Sequence, residues 1–357
     1  MNLKELWYNN TLERYRFENE LDVFEIGRII AEHKNVYVVQ TDKEKFNAEI
    51  IGSLRYASED KTDLPVVGDW VAISKSNENK ALIHAVYPRY SVIERKAIGK
   101  NIQKQIIASN IDYGLIIQSV NRDFSINRLE RYLTICNVSN ITPIIILNKI
   151  DLIDQTELEV ILDQVHGRIK NVPVFPMSNE SLVGIEEVSK LFEEWKSYCL
   201  LGSSGVWKST LLNNLIWESV MKTAAISESV DRWKHVTTHR ELFVLKSWGI
   251  IIDNPGMREV GVVDNIGWLE TTFDDIIEIS RNCKFKNCTH TGEEWCAIKI
   301  AFENDEIDKD SYDNFQKLEK EKAHYNTSAM EKKRKDKHLS KEISRMKKRN
   351  TWNKYST

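Results

Sequence analysis

Four short apolar runs constrain the fold of this 357-residue chain more than any other feature. They are Tyr113–Val120, Pro143–Leu147, Val172–Phe175 and Gly249–Asp253. Between the first two, the apolar residues of Asn127–Asn137 have helical spacing. Strands that alternate with helices predict a doubly wound parallel sheet, in which ligands bind at the carboxyl ends of the strands. Polar motifs lie beside several of these runs, so we expect them to contribute to one site.

The first polar motif is Asn148-Lys149-Ile150-Asp151, directly after Pro143–Leu147. A carboxylate at Asp151 can accept hydrogen bonds from the N1 and N2 donors of guanine, and adenine offers no such pair. Asn148 can contact the base edge, and the stem of Lys149 can cover the base face. A pattern this short also arises by chance, so its position after a buried strand gives it weight. Ser178, which follows Val172–Phe175, is a further candidate for nucleotide binding.

The second motif has the composition of a phosphate-binding loop that opens a helix. Small residues let backbone N–H groups surround the phosphates, a lysine reaches the outer phosphates, and a serine or threonine holds magnesium. The helix at Leu211–Leu215 would place its N-terminus at the anion. The usual pattern has glycine before the lysine, and this chain has Trp207. The candidate residues are Gly202, Ser203, Ser204, Gly205, Val206, Lys208, Ser209 and Thr210.

The third motif, Asp253-Asn254-Pro255-Gly256, follows the last apolar run. Asp253 would reach magnesium through water, and the Gly256 N–H would sense the γ-phosphate. A strand that ends in a turn explains this tetrapeptide equally well. The polar stretch Lys234–Arg240 lies in the interval where a switch-loop threonine on magnesium belongs, although an exposed polar loop is the simpler interpretation.

The three motifs together form the set of a GTPase in an unusual order. Guanine recognition comes first, then the phosphate loop, then the switches. This order is a circular permutation of the common one. The site is expected to survive the permutation, because each motif depends on the end of its own strand.

Three cysteines and one histidine lie within fourteen residues near the C-terminus. A Cys₃His set fills a tetrahedral zinc site with no open position, so we expect one structural zinc. Cys136 and Cys199 lie in apolar runs and are expected to be ordinary core residues. The expected metal ligands are Cys283, Cys288, His290 and Cys296.

The N-terminal third has a different pattern of apolar residues. Residues 1–35 are predicted to be a helical or irregular lead-in. Apolar residues then recur at period two in Val36–Gln40, Phe46–Ile51 and Pro65–Ile73, which favours a small antiparallel barrel. The chain has five cysteines, no signal-peptide pattern and no apolar run of about 18 residues. These features predict a cytoplasmic protein without a membrane segment.

The chain resembles the RsgA type of permuted GTPases, which mature the bacterial small ribosomal subunit. Besides the nucleotide motifs and the Cys/His spacing, PVVGDWV, ASNIDYGLII and DNPGMRE carry the resemblance. It implies a multidomain protein with an OB-fold barrel, a permuted α/β GTPase and a zinc-binding helical domain. The expected boundaries are a lead-in at 1–35, an RNA-binding barrel at 36–108, a GTPase domain at 109–267 and a zinc domain with a basic tail at 268–357.

The resemblance also implies an activity and partners. The chain would bind GTP and GDP, and hydrolyse GTP with magnesium when the small subunit and its rRNA stimulate it, as a monomer. Carried over by position, Thr237 is the magnesium-binding switch threonine. Met257 stands where many GTPases carry a glutamine that orients water, and an apolar side chain cannot do this. His235 is the catalytic candidate for that role.

Tryptophan replaces glycine at several positions of the family pattern. These positions are 7, 207, 217, 233, 248 and 295, while Val236 and Asn254 replace threonines. The chain has fourteen glycines, below the roughly 7% that is usual, and ten tryptophans. Such repeated replacement indicates a relaxed paralogue or an altered sequence. Three hypotheses about function follow. The leading one is an active ribosome-assembly GTPase. The second is a non-catalytic RNA-binding assembly factor whose nucleotide binding is weakened by Trp207. The third is an unrelated regulatory GTPase with a protein partner, which the barrel and the basic tail disfavour.

The basic tail gives the first testable prediction. Glu331–Asn350 contains ten Lys or Arg residues and three acidic residues, a pattern that fits a solvated helix and a nucleic-acid arm equally well. We expect truncation after Met330 to weaken binding to small-subunit RNA and to flatten its dependence on salt, because fewer counterions are then released. Filter binding across a salt series measures this. An unchanged slope would identify the tail as a solvated helix only.

Overall fold

The computed structural model describes residues 10–33, 36–58, 61–96, 104–121, 124–203, 206–221, 240–245, 247, 249–253, 273–285, 288, 290, 293–304 and 306–320. The chain divides into two compact units. The first comprises Met1–Ile98, Gln103–Gly261 and Gly267–Thr272, and the second comprises Gly99–Ile102, Val262–Ile266 and Phe273–Thr357. In the described part of the chain, no helix is both long and apolar enough to cross a bilayer.

Five strands of the first unit close into a barrel. Strand β1 pairs with both β2 and β4, β2 pairs with β3, and β5 joins β4 to β3. The β3–β5 pair is parallel and the others are antiparallel, which is the arrangement of an OB-fold. The strands are β1 (Glu25–His33), β2 (Val36–Gln40), β3 (Lys45–Ile50), β4 (Trp70–Asn77) and β5 (Lys80–Val86).

Strand β1 corrects one prediction. A helical or irregular lead-in was expected for residues 1–35, and helix α1 (Asn10–Glu18) agrees with it. Glu25–His33, however, is a central strand of the barrel. Helix α2 (Gly52–Ala57) lies between β3 and β4 in the chain. The expected domain boundaries themselves stay predictions.

Six further strands of the first unit lie side by side in the order β10-β9-β8-β11-β13-β12 and are called the six-stranded sheet. All of its neighbouring strands are parallel except β12, which is antiparallel to β13. A two-stranded hairpin of β6 (Val92–Lys96) and β7 (Lys104–Ser109) precedes the sheet in the chain. The strands are β8 (Tyr113–Ser119), β9 (Thr142–Asn148), β10 (Val174–Met177), β11 (Ser197–Leu201), β12 (Arg240–Val244) and β13 (Ile250–Asp253).

The sheet has an apolar core on each face, as a doubly wound fold requires. Successive residues of β8 alternate between them: Leu115 and Ile117 join one cluster, and Ile116 joins the other. The first cluster includes Leu211 and neighbouring leucines of α6, and the second includes apolar residues of α3. Cys136 and Cys199 are buried in the second cluster, which confirms that they are core residues. The helices are α3 (Ile126–Val138), α4 (Gln155–Arg168), α5 (Ile185–Ser189) and α6 (Lys208–Met221).

The barrel and the six-stranded sheet share one continuous hydrogen-bonded array. Strand β1 pairs in antiparallel fashion with β12, through Ala31 opposite Glu241 and Glu32 opposite Arg240. The outer edge of β12, which would otherwise expose unpaired backbone groups, is therefore covered by the chain's own barrel.

A buried arginine strengthens this junction. The Arg28 side chain in β1 is fully buried and donates hydrogen bonds to the Gly68 O (3.2 Å), the Asn110 O (3.3 Å) and the Ser197 Oγ (3.0 Å). Burial lowers the pKa of Arg28 from its usual value. Its partners come from the barrel, from the segment before β8 and from the first residue of β11. One side chain thus joins parts of the chain that are distant in sequence.

The PVVGDWV segment has a structural role at the same junction. Gly68 has φ +98°, and a Cβ there would lie 2.2 Å from the Ser109 O, so only glycine fits. The next residue, Asp69, is buried and accepts hydrogen bonds from the Val66 N (2.8 Å), the Ser109 Oγ (2.5 Å) and the Arg89 Nε (2.8 Å).

The second unit is helical where it is described, as the sequence predicts. Helices α7 (Asp274–Ser280) and α8 (Ala297–Glu303) are followed by α9 at residues 309–320. Its buried apolar residues are Phe273, Ile276, Ile298, Ala301, Ile307, Phe315 and Leu318.

Loss of the Arg28 hydrogen bonds is expected to destabilise the first unit. Hydrogen bonds to a charged group contribute about 1.5–3 kcal/mol, and Arg28→Met leaves buried acceptors without this donor. We therefore expect the free energy of unfolding in urea to fall by at least that amount. Arg14→Met, at an exposed position on α1, is the control and is expected to change it by less than about 0.5 kcal/mol. Equal stability of the two variants would contradict this role of Arg28.

Candidate functional site

The buried side chain of Asn148 holds three loops together. Its Oδ1 accepts hydrogen bonds from the backbone N of Lys149 (2.8 Å) and of Asn179 (3.2 Å). Its Nδ2 donates to the Val206 O at 2.9 Å. The predicted guanine motif, the segment after β10 and the phosphate loop are therefore fixed to one another.

The carboxylate of Asp151 is oriented by Ser178. The Ser178 Oγ donates a short hydrogen bond to the Asp151 Oδ1 and accepts from the N–H groups of Glu180 (3.1 Å) and Ser181 (3.0 Å). Parallel pairing places Met177 opposite Asn148, so the ends of β9 and β10 lie side by side. These contacts fix the orientation of the Asp151 carboxylate.

The phosphate loop runs from the end of β11 to the start of α6. Gly202 has φ +149°, and a Cβ there would lie 2.4 Å from the Ile117 O. Lys208 is the first residue of α6, and its Nζ donates to the Gly202 O (2.7 Å) and the Ser203 O (2.8 Å). The ammonium group thus lies inside the loop, beside the helix N-terminus that favours anions.

Trp207 is accommodated at the end of this loop with its ring partly exposed. The residue has φ 65° and is 40% exposed. Its carbonyl accepts hydrogen bonds from the Leu211 N (2.9 Å) and the Asn179 Nδ2 (3.2 Å). The Lys149 Nζ lies 5.1 Å from the centroid of the indole ring, a cation–π distance. The lysine expected to cover a guanine base therefore contacts the tryptophan ring.

The structure describes some of the remaining predicted site residues but not others. Ser209 and Thr210 lie in the first turn of α6, and buried Asp253 ends β13, the strand beside β11. The structure brings together the guanine motif, Ser178 and the phosphate loop. Ser204, Gly205, His235, Thr237 and Gly256 lie outside the described residues, as do Val236, Asn254 and Met257.

Asn179 is a site residue that the sequence interpretation missed. Its N–H binds Asn148, and its side chain binds the carbonyl of Trp207. Asn214 on α6 holds it in turn, with its Nδ2 3.2 Å from the Asn179 O and 3.1 Å from the Asn179 Oδ1. The available signal was its position beside Ser178, two residues after the end of β10.

The four predicted metal ligands meet in the second unit. Their ligand atoms all lie within 4.8 Å of one another, and the His290 Nδ1 is 3.6 Å from both the Cys283 Sγ and the Cys296 Sγ. A tetrahedron with Zn–S near 2.3 Å and Zn–N near 2.0 Å has S···N edges of about 3.5 Å, so the spacing fits zinc. Hydrogen bonds from Tyr312 (2.9 Å) and Gln316 (2.6 Å) to the His290 O tie the cluster to α9.

Comparison with known proteins identifies the family. The RsgA GTPase family model matches residues 86–263. A protein of Listeria monocytogenes serotype 4b, named small ribosomal subunit biogenesis GTPase RsgA 2, is 40% identical over 321 residues, covering 88% of this chain and 90% of the relative. The chain belongs to the RsgA GTPase family. A second RsgA, from Methanosarcina acetivorans, is 36% identical over 82% of this chain and 78% of its own length.

Solved structures of similar proteins agree with the RsgA fold. The structure of YjeQ from Thermotoga maritima has a TM-score of 0.60 at 22% identity, and covers 84% of this chain and 98% of its own. That of YloQ, described as a circularly permuted GTPase, also has a TM-score of 0.60, at 25% identity, and covers 84% and 96%. The predicted fold class is therefore confirmed, with its OB-like barrel and permuted GTPase.

The cluster of Cys283, Cys288, His290 and Cys296 gives a testable prediction. Metal analysis is expected to find one zinc per chain, and Cys288→Ser is expected to lose it and to unfold the second unit, because metal binding and local folding are coupled. The first unit should remain folded. Cys199→Ser, in the core of the first unit, is the control and should retain zinc. A metal-free chain whose second unit stays ordered would contradict the assignment.

Proposed function

We propose that this chain binds GTP and hydrolyses it during late maturation of the small ribosomal subunit. The observation that carries the proposal is that the Asn148 side chain hydrogen-bonds both the guanine-type motif and the phosphate loop. The names of its curated relatives, small ribosomal subunit biogenesis GTPases, support the same function.

The roles of individual residues are part of this proposal. Asp151 selects guanine, and Lys208 neutralises charge on the outer phosphates. Ser209, Thr237 and Asp253 would hold magnesium. The ion would stabilise the negative charge that develops on the phosphate oxygens during hydrolysis. His235 orients the attacking water, since Met257 cannot.

The partners follow from the charge pattern and the relatives. An OB-type barrel and the basic segment Glu331–Asn350 are suited to rRNA, because basic side chains release counterions when they bind phosphates. A factor in ribosome assembly would act in the cytoplasm, and we expect it to act as a monomer whose hydrolysis the subunit stimulates. Zinc would stabilise the second unit.

A second function is favoured by one observation at the site. The Trp207 ring stands beside the guanine motif and holds the Lys149 ammonium. A chain with this side chain could keep its fold and its RNA contacts while GTP binding is weakened. It would then act as a non-catalytic RNA-binding assembly factor.

Guanine selectivity is the decisive measurement. GTP is expected to bind more tightly than ATP, and Asp151→Ala should remove most of that preference, because losing a charged hydrogen-bond partner costs about 1.5–3 kcal/mol. Isothermal titration with each nucleotide measures the ratio. Asp163→Ala, on the exposed face of α4, should leave the ratio unchanged. Equal binding of ATP and GTP by the unmutated chain would contradict the GTPase assignment.

A further inference from the structure

Tryptophan lies at positions where the backbone is left-handed. In the described residues, positive φ occurs at three glycines and at ten other residues. Four of these ten are Asn or His, three are Glu20, Lys149 and Leu182, and three are tryptophans: Trp195 (φ 67°), Trp207 (φ 65°) and Trp295 (φ 70°). Residues other than glycine rarely adopt this region, and those enriched there are Asn, Asp and His. An indole offers none of the local hydrogen bonds that help Asn or Asp to do so.

Trp195 occupies a turn position that selects glycine. The Lys196 N donates to the Glu193 O at 3.3 Å, which closes a four-residue turn before β11. Glu194 is not among the residues with positive φ, and Trp195 is. Negative φ at the second residue and positive φ at the third define a type II turn, where the third residue is normally glycine.

Trp207 and Trp295 also have positive φ, and each lies directly before a predicted site residue. Trp207 is directly before the lysine of the phosphate loop, where the motif requires glycine. Trp295 is directly before the metal ligand Cys296, in a turn where its carbonyl accepts from the Lys284 N at 3.5 Å. Trp295 is 63% exposed, so its ring gains little of the burial that makes tryptophan favourable in folded proteins.

Trp70 shows how an ordinary tryptophan behaves in the same chain. It lies in β4 with regular strand pairing and is 1% exposed. Its ring packs with Leu12 and Tyr87, and the Arg28 guanidinium lies 5.6 Å from its centroid. These four tryptophans are therefore of two kinds. Trp70 is buried in a core, whereas the other three lie where the backbone conformation favours glycine.

We propose that residues 195, 207 and 295 are glycine in the protein as its own cell makes it. A single codon that one genetic code reads as tryptophan and another reads as glycine would produce this pattern at every such position. The composition, with fourteen glycines and ten tryptophans, fits the same cause. Trp195 is not among the tryptophans that sequence resemblance singles out, so the backbone is an independent observation.

The proposal has a consequence for the phosphate loop. With Trp207→Gly, the segment from Gly202 to Ser209 matches the complete Gly-x₄-Gly-Lys-Ser pattern. The ring that holds Lys149 is then absent, and so is the observation that favoured a non-catalytic factor. The inference does not require the proposed function, because it rests on backbone geometry.

The gene provides the first test, with Trp70 as the internal control. Sequencing is expected to show one shared codon at positions 195, 207 and 295 and a different codon at Trp70. A codon common to all four positions would overturn the proposal. Peptide masses of the chain isolated from its own cell should then show glycine at the three positions, and tryptophan there would equally overturn it.

The backbone is tested by comparing glycine with alanine at each position. At 195, 207 and 295 the glycine variant is expected to melt at least about 2 °C above the alanine variant, because alanine keeps the Cβ that opposes positive φ. At Glu159, an exposed position on α4, the order should reverse, since alanine is the better helix former. An alanine variant that is as stable as glycine at the three positions would overturn the inference.

Nucleotide binding separates this inference from the proposed function. Trp207→Gly is expected to tighten GTP binding at least tenfold, and Trp195→Gly should leave it unchanged. If the codon and melting results hold but Trp207→Gly fails to bind GTP, the glycine assignment stands and the proposed GTPase function falls. If the unmutated chain binds GTP as tightly as Trp207→Gly, the consequence drawn for the phosphate loop is overturned, because the Trp207 ring then does not oppose nucleotide binding.

Discussion

The buried amide of Asn148 is the interaction on which the candidate site depends. A buried amide must find partners for both its oxygen and its nitrogen, and each partner here belongs to the backbone of a site loop. These hydrogen bonds hold the predicted base-binding and phosphate-binding loops against each other. The two motifs lie more than 50 residues apart in sequence.

The parallel sheet explains why motifs in a permuted order can still lie close together. Strands β9 and β11 flank β8, and β13 lies beside β11, so the motif-bearing strand ends lie along one edge regardless of chain order. Permutation changes the connections instead. Strand β12 pairs with the barrel strand β1, and the buried Arg28 joins the barrel to the start of β11. The barrel is thus part of the structure that supports the site.

Strand β1 shows where sequence patterns fail for a physical reason. Glu25–His33 pairs with β2, β4 and β12, so its residues 26–31 are all buried and no period-two alternation marks the strand. Gly27 and the charged Arg28 further obscure it. Gly27 is needed because a Cβ would lie 2.2 Å from the Val39 Cγ1, and Arg28 is tolerated because its buried guanidinium finds acceptors from three segments.

The sequence by itself determined the features that rest on local chemistry. Apolar runs located four of the five parallel strands, β8, β9, β10 and β13, but not β11. Short motifs located Asn148 and Lys208, and spacing located the four metal ligands, because each depends on residues close together in the chain. Tertiary structure decided the rest. The role of Asn179 and the Arg28 junction depend on partners distant in sequence, and the left-handed backbone at Trp195 follows from a turn that residue type alone would argue against.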